Sequence, residues 1–132
     1  MPQTPEVQHA GRTILVVDDD PAVLTFVSGF LAAQYNVLIA HSGIDAVQLS
    51  KDFKEEIHLL LSDFSMAGMN GIDVATQITL QRPTIKVLLM SGFTGGMLVL
   101  NEGWHFLAKP FIPSQLRTLI SGLISPDQKT RF

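Results

Sequence analysis

Residues 14–21 read Ile14-Leu15-Val16-Val17-Asp18-Asp19-Asp20-Pro21. Four apolar residues in an unbroken row suit a strand covered on both faces, because a half-exposed strand would alternate. The row ends in three consecutive carboxylates. Asp20 is a good helix N-cap, and Pro21 suits the first helical position, where no amide donor is needed. Val23, Phe26, Val27, Phe30 and Leu31 then follow the i, i+3, i+4, i+7, i+8 stripe of an amphipathic helix. Strand, acidic turn and helix are thus written in one continuous stretch.

The same alternation repeats along the chain. Further apolar runs stand at Val37-Leu38-Ile39, Leu59-Leu60-Leu61, Val87-Leu88-Leu89-Met90 and, more weakly, at 104–108. A second helix begins at Ser42-Gly43-Ile44-Asp45, which has capping-box form with Asp in place of Glu. A third follows Asn70-Gly71 with Val74, Ala75 and Ile78 on one face. The last, after Pro113, carries Leu116, Leu119, Ile120, Leu123 and Ile124. Between Met90 and Trp104 a loop with Gly92, Gly95 and Gly96 leaves room only for a fourth helix that is short or irregular. This order predicts a doubly wound α/β fold, with five parallel strands and helices on both faces. The expected division is an N-terminal arm at 1–11, a domain at 12–125 and a C-terminal tail at 126–132.

Composition narrows the function classes. The 132 residues suit one domain, and only 16% are charged, against ~25% in an ordinary soluble chain. A net charge of −3 offers no basic footprint for nucleic acid. No apolar run approaches the ~20 residues that span a bilayer, so no membrane partner is expected. Residues 1–11 lack the basic and apolar regions of a signal peptide, and a cytoplasmic location is expected. The absence of cysteine removes disulfides, thiolate metal sites and thiol nucleophiles.

In a doubly wound sheet, ligands bind beyond the carboxyl ends of the strands. The first strand ends in Asp18-Asp19, the third in Asp63, the fourth in Ser91 and the fifth in Lys109. Three carboxylates drawn together repel one another, and a divalent cation removes the conflict. Oxygen ligands without His or Cys favour a hard ion, and a shallow site that keeps waters favours Mg2+ over Ca2+. Beside such a site a lone lysine complements a phosphoryl group. Asp63 is then the candidate nucleophile, Lys109 the group holding one phosphoryl oxygen, and Ser91 a hydrogen-bond donor to another.

On these residues the sequence resembles the response-regulator receiver domain of two-component signalling. The matching segments are 14–21, Leu59-Leu60-Leu61-Ser62-Asp63 through Asn70-Gly71, Leu88-Leu89-Met90-Ser91-Gly92, and Phe106-Leu107-Ala108-Lys109-Pro110-Phe111. The resemblance implies a flavodoxin-like sheet of order 2-1-3-4-5. It implies that Asp63 accepts a phosphoryl group from a histidine kinase or phosphotransfer protein. Asp19 would bind Mg2+ directly, Asp18 mostly through water, and Asp63 and the Ser65 backbone carbonyl would complete the set. Ser91 and Phe106 would form the switch pair, and Lys109 would bind phosphate, followed by Pro110. The output would be a changed contact with a downstream protein or with a second copy of the chain. The domain would be a regulatory phosphoacceptor rather than an enzyme, catalysing only its own phosphotransfer and dephosphorylation. It would stand alone or be the terminal receiver of a hybrid kinase.

Three departures stand out. Ala67 occupies a place where the family usually has proline. Phe106 has no hydroxyl, and the interval from Ser91 to Lys109 is a few residues short. The shortening motivates an alternative, a receiver-like scaffold that binds a partner without phosphorylation. A flavodoxin-like domain binding a small ligand is a weaker alternative, because the acid cluster repels a flavin phosphate.

Overall fold

A computed structural model describes residues 11–92 and 103–124. The strands are β1 (Thr13–Val17), β2 (Asn36–Ala40), β3 (Leu59–Asp63), β4 (Lys86–Ser91) and β5 (Trp104–Ala108). The described helices are α1 (Pro21–Leu31), α2 (Gly43–Asp52), α3 (Gly71–Gln81) and α4 (Pro113–Ile124). All four ladders are parallel, in the order β2-β1-β3-β4-β5. The short helix expected before Trp104 falls within 93–102, outside the described residues. So do most of the expected arm and the whole of the expected tail.

Every residue of β1 and β3 is buried, which accounts for their unbroken apolar rows. Successive side chains point to opposite faces, so each strand feeds two cores. Ile14, Val16, Leu59, Leu61, Leu88 and Met90 pack with Leu24, Val27 and Leu31 of α1 and Leu116, Ile120 and Ile124 of α4. Leu15, Val17, Leu60, Val87 and Leu89 pack with Ala46 of α2 and Val74, Ala75 and Ile78 of α3. Each of these Val, Leu, Ile and Met side chains contributes about 1.5–3 kcal/mol by leaving water. Among the described residues no helix is long and apolar enough to cross a membrane.

The helix starts follow the expected chemistry. Asp20 accepts from the Ala22 amide, Ser42 from Asp45 and Asn70 from Asp73. Of the expected α1 stripe, Val27 and Leu31 are buried and Val23 and Phe30 pack against the same core, and one residue departs. The face of α1 against the sheet is Leu24, Val27 and Leu31, whereas Phe26 is 51% exposed. Phe26 stacks on Phe30 at 6.4 Å, and the Arg117 guanidinium of α4 sits 4.6 Å over Phe30.

Arg82, just past α3, ties two helices together. Its guanidinium donates to the Ser50 and Phe53 carbonyls at 2.8 Å each, to the Ser50 hydroxyl at 3.0 Å and to the Glu55 carbonyl at 2.9 Å. The carbonyls at the end of α2 lack partners within their own helix, and this cation satisfies them.

Candidate functional site

Strand register brings the polar ends level. Asp63 pairs with Met90, and Ser91 with Ala108. The ladders continue one step beyond the strands. Phe64 donates to the Met90 carbonyl and Lys109 to the Ser91 carbonyl, both at 2.7 Å. These bonds hold the main chain on either side of the site. Pleat alternation places Asp63 on the α1/α4 side with Leu59 and Leu61, and Ser91 on the α2/α3 side with Val87 and Leu89. The site therefore straddles the carboxyl edge of the sheet.

Asp18, Asp19 and Asp63 converge, each offering a carboxylate oxygen within 4.8 Å of the others. Asp18 is 1% exposed and Asp63 8% exposed, whereas Asp19 is open to solvent. Lys109 Nζ lies 3.1 Å from Asp63 Oδ1 and 3.6 Å from Asp18 Oδ2. Asp18 Oδ1 accepts from the Asp20 amide at 2.9 Å, while Asp18 Oδ2 is buried without a hydrogen-bond donor. Burial raises the Asp18 carboxyl above the usual range. The Asp20 amide opposes that rise, Asp63 adds to it, Lys109 opposes it and Asp19 adds to it.

One ammonium cannot neutralise three carboxylates, and a buried carboxylate oxygen without a donor is costly. A hard divalent cation matches this all-oxygen set and meets both deficits. Asp18, Asp19 and Asp63 are the side chains that could hold it. Ser65 stands two positions past Asp63, in the exposed β3–α3 loop.

Ser91 is buried at the end of β4. Phe106 is half-buried in β5 opposite Leu89 and packs into the core on the α2/α3 side, the side to which Ser91 points. The Lys109–Pro110 peptide is cis. A recess of about 500 Å3 opens beside Lys109, walled by Val23, Phe26, Val27, Gly92, Pro110 and Phe111. Gly95 and Gly96 of the glycine-rich loop lie outside the described residues.

Two further residues shape the site although the sequence assigned them no role in it. A Cβ on Gly71 would lie 2.6 Å from the Asp63 carbonyl oxygen and 2.9 Å from Phe64 Cα. Only glycine lets α3 start against the backbone of Asp63, where its amide donates to the Phe64 carbonyl at 2.8 Å. The second is Ala67, whose amide donates to Asp19 Oδ2 at 3.3 Å. The pair Asn70-Gly71 signals a helix start, but nothing local in the sequence signals either contact.

Comparison with known proteins places the chain in a family. The chain is 39% identical over 122 residues to the transcriptional regulatory protein ZraR of Salmonella typhimurium, covering 89% of this chain and 27% of that protein. It is 33% identical over 115 residues to the two-component response regulator ARR14 of Arabidopsis thaliana, covering 83% of this chain and 30% of that one. The chain thus spans less than a third of either relative. Among solved structures, the receiver domain of the hybrid histidine kinase CckA superposes with a TM-score of 0.76 at 28% identity, over 86% of this chain and 99% of that one. The sequence profile of the response regulator receiver domain matches residues 14–121. The chain therefore belongs to the response regulator receiver domain family of two-component systems.

Proposed function

We propose that the chain is a phosphorylation switch that accepts a phosphoryl group on Asp63, with Mg2+, from a histidine kinase or phosphotransfer protein. The observation that carries this reading is the lysine bridge. Lys109 Nζ is pinned between Asp63 Oδ1 and Asp18 Oδ2, with the phosphoacceptor on one side and the acid cluster on the other. In the transfer, an Asp63 carboxylate oxygen attacks phosphorus, the phosphorus–nitrogen bond to the donor histidine breaks, and the imidazole leaves. A bound divalent cation supplies charge neutralisation at the carboxylates and at the incoming phosphoryl oxygens. Asp18, Asp19, Asp63 and the Ser65 carbonyl are assigned to hold it.

Lys109 then exchanges its carboxylate partners for a phosphoryl oxygen, and Ser91 donates to another. The movement of Ser91 is passed to Phe106 through packing, since Phe106 has no hydroxyl to carry it. The functional unit is assigned to 12–125, leaving 1–11 and 126–132 outside it. The output is a changed contact with a downstream protein or a second copy, with the cytoplasm as the site of action.

Intact-mass spectrometry with acetyl phosphate and Mg2+ tests the reading. One phosphoryl group should be gained, and the gain should vanish with Asp63→Asn or on chelation. Tight Mg2+ binding without any gain would sink it. Partner binding indifferent to Asp63→Asn would favour a constitutive scaffold instead.

A further inference from the structure

Asp18 and Asp63 are buried and held in place, but Asp19 is exposed at a turn. An exposed aspartate samples several rotamers, and only some bring an oxygen into the cluster. Here a main-chain donor selects among them. The Ala67 amide reaches Asp19 Oδ2 at 3.3 Å, across 48 positions of sequence. The donor is itself held. The Met69 amide donates to the Ala67 carbonyl at 3.1 Å across Gly68, whose φ of 84° glycine adopts without strain. At the base of the loop, the Gly71 amide closes onto the Phe64 carbonyl at 2.8 Å. One hydrogen bond thus joins the turn carrying Asp19 to the loop carrying Ser65.

We infer that the Ala67 N–H is a positioning group for the cation site, holding Asp19 in the orientation that completes the three-carboxylate set. The inference rests on reading that cluster as a Mg2+ site. Accepting one amide leaves an aspartate oxygen a further lone pair, so the bond and coordination are compatible. The bond also ties the β3–α3 loop to occupancy of the site, because a cation drawing on Asp19 draws on the loop through it. A residue without an N–H at position 67 cannot make this link. Because the bond is exposed, its removal should weaken ion binding while leaving overall stability nearly untouched.

Calorimetric titration of MgCl2 into the full chain tests this with three variants. Ala67→Gly keeps the donor and should bind within about twofold of the native chain. Ala67→Pro, and an ester that replaces only the residue-67 amide, should each lose about fivefold in affinity, the loss of one ordinary hydrogen bond. The ester should melt with the native protein in the absence of Mg2+. In the native chain, exchange of the Ala67 amide hydrogen should be slower than that of an open loop amide. An ester that binds Mg2+ as tightly as the native chain overturns the inference, as does Ala67→Gly losing as much as Ala67→Pro. A native chain that takes up no Mg2+ at all overturns the cation site itself and the inference with it.

Discussion

Replacing Gly71 by alanine places a methyl carbon 2.6 Å from the Asp63 carbonyl oxygen and 2.9 Å from Phe64 Cα. Ordinary van der Waals contact starts near 3.4 Å, so one side must give by most of an ångström. Neither neighbour is the tip of a flexible side chain. Both are backbone, held by the Phe64–Met90 and Gly71–Phe64 bonds. Overpacking of this kind costs about 1–3 kcal/mol. Alanine recovers at most about 1 kcal/mol over glycine within a helix, and less at the first position. The expected net loss is about 1–2 kcal/mol, read as a lower urea midpoint at unchanged slope. The atoms that shift carry Asp63, the proposed phosphoacceptor, and a misplacement of about 1 Å can slow a positioned reaction about 100-fold. Shared between α3 and β3, the shift should slow phosphorylation by acetyl phosphate about tenfold at saturating Mg2+. Gly29→Ala in α1 is the control, since its added Cβ meets nothing within 4 Å. It should stabilise by about 0.5–1 kcal/mol and leave the phosphorylation rate alone. A Gly71→Ala protein as stable as the native chain, or phosphorylated as fast, would refute the argument from close contact.

Other perturbations have defined signs. Arg82→Met removes four hydrogen bonds at the end of α2 and should cost about 2–4 kcal/mol in urea unfolding, with Arg82→Lys recovering only part; a loss below about 0.5 kcal/mol would mean water replaces the guanidinium. Burial keeps the Asp18 carboxyl protonated to higher pH than in the unfolded chain, so without Mg2+ stability falls as pH rises through that acid window. Asp18→Asn should therefore raise the Mg2+-free melting temperature at neutral pH and abolish the rise that Mg2+ produces in the native protein. His58 Nδ1 accepts from the Thr13 amide at 3.0 Å; burial lowers its pKa, Glu56 opposes and Arg12 adds. Its contribution is present above the ordinary imidazole value of ~6.5 and lost as pH falls through it towards the lower folded value. His58→Asn keeps an acceptor without the proton, and should flatten the decline in stability between about pH 7 and pH 5, measured by chemical unfolding.

How much of this was legible along the chain differs from element to element. β1, β3 and β4 were plain because both of their faces are covered, which leaves unbroken apolar rows. The caps at Asp20, Ser42 and Asn70 were plain because a cap bonds only two or three residues ahead. The acid cluster and Lys109 were legible because the place where a strand ends is a local property, and parallel strands present those ends together. Of the α1 stripe only Phe26 was misplaced, with Leu24 buried in its stead, because spacing alone does not weigh one against the other. That choice depends on how closely the helix can approach the sheet.

Local pattern, a matter of nearest neighbours along the chain, specified the alternating strands and helices, the polar strand ends and the resemblance those ends carry. The close approach of Gly71 to Asp63, the Arg82 clamp on α2 and the bond from Ala67 to Asp19 came only with the assembled layers. Each joins groups whose separation is set by how strands pair and helices pack, not by their spacing along the chain. Periodicity along the chain does not contain that length.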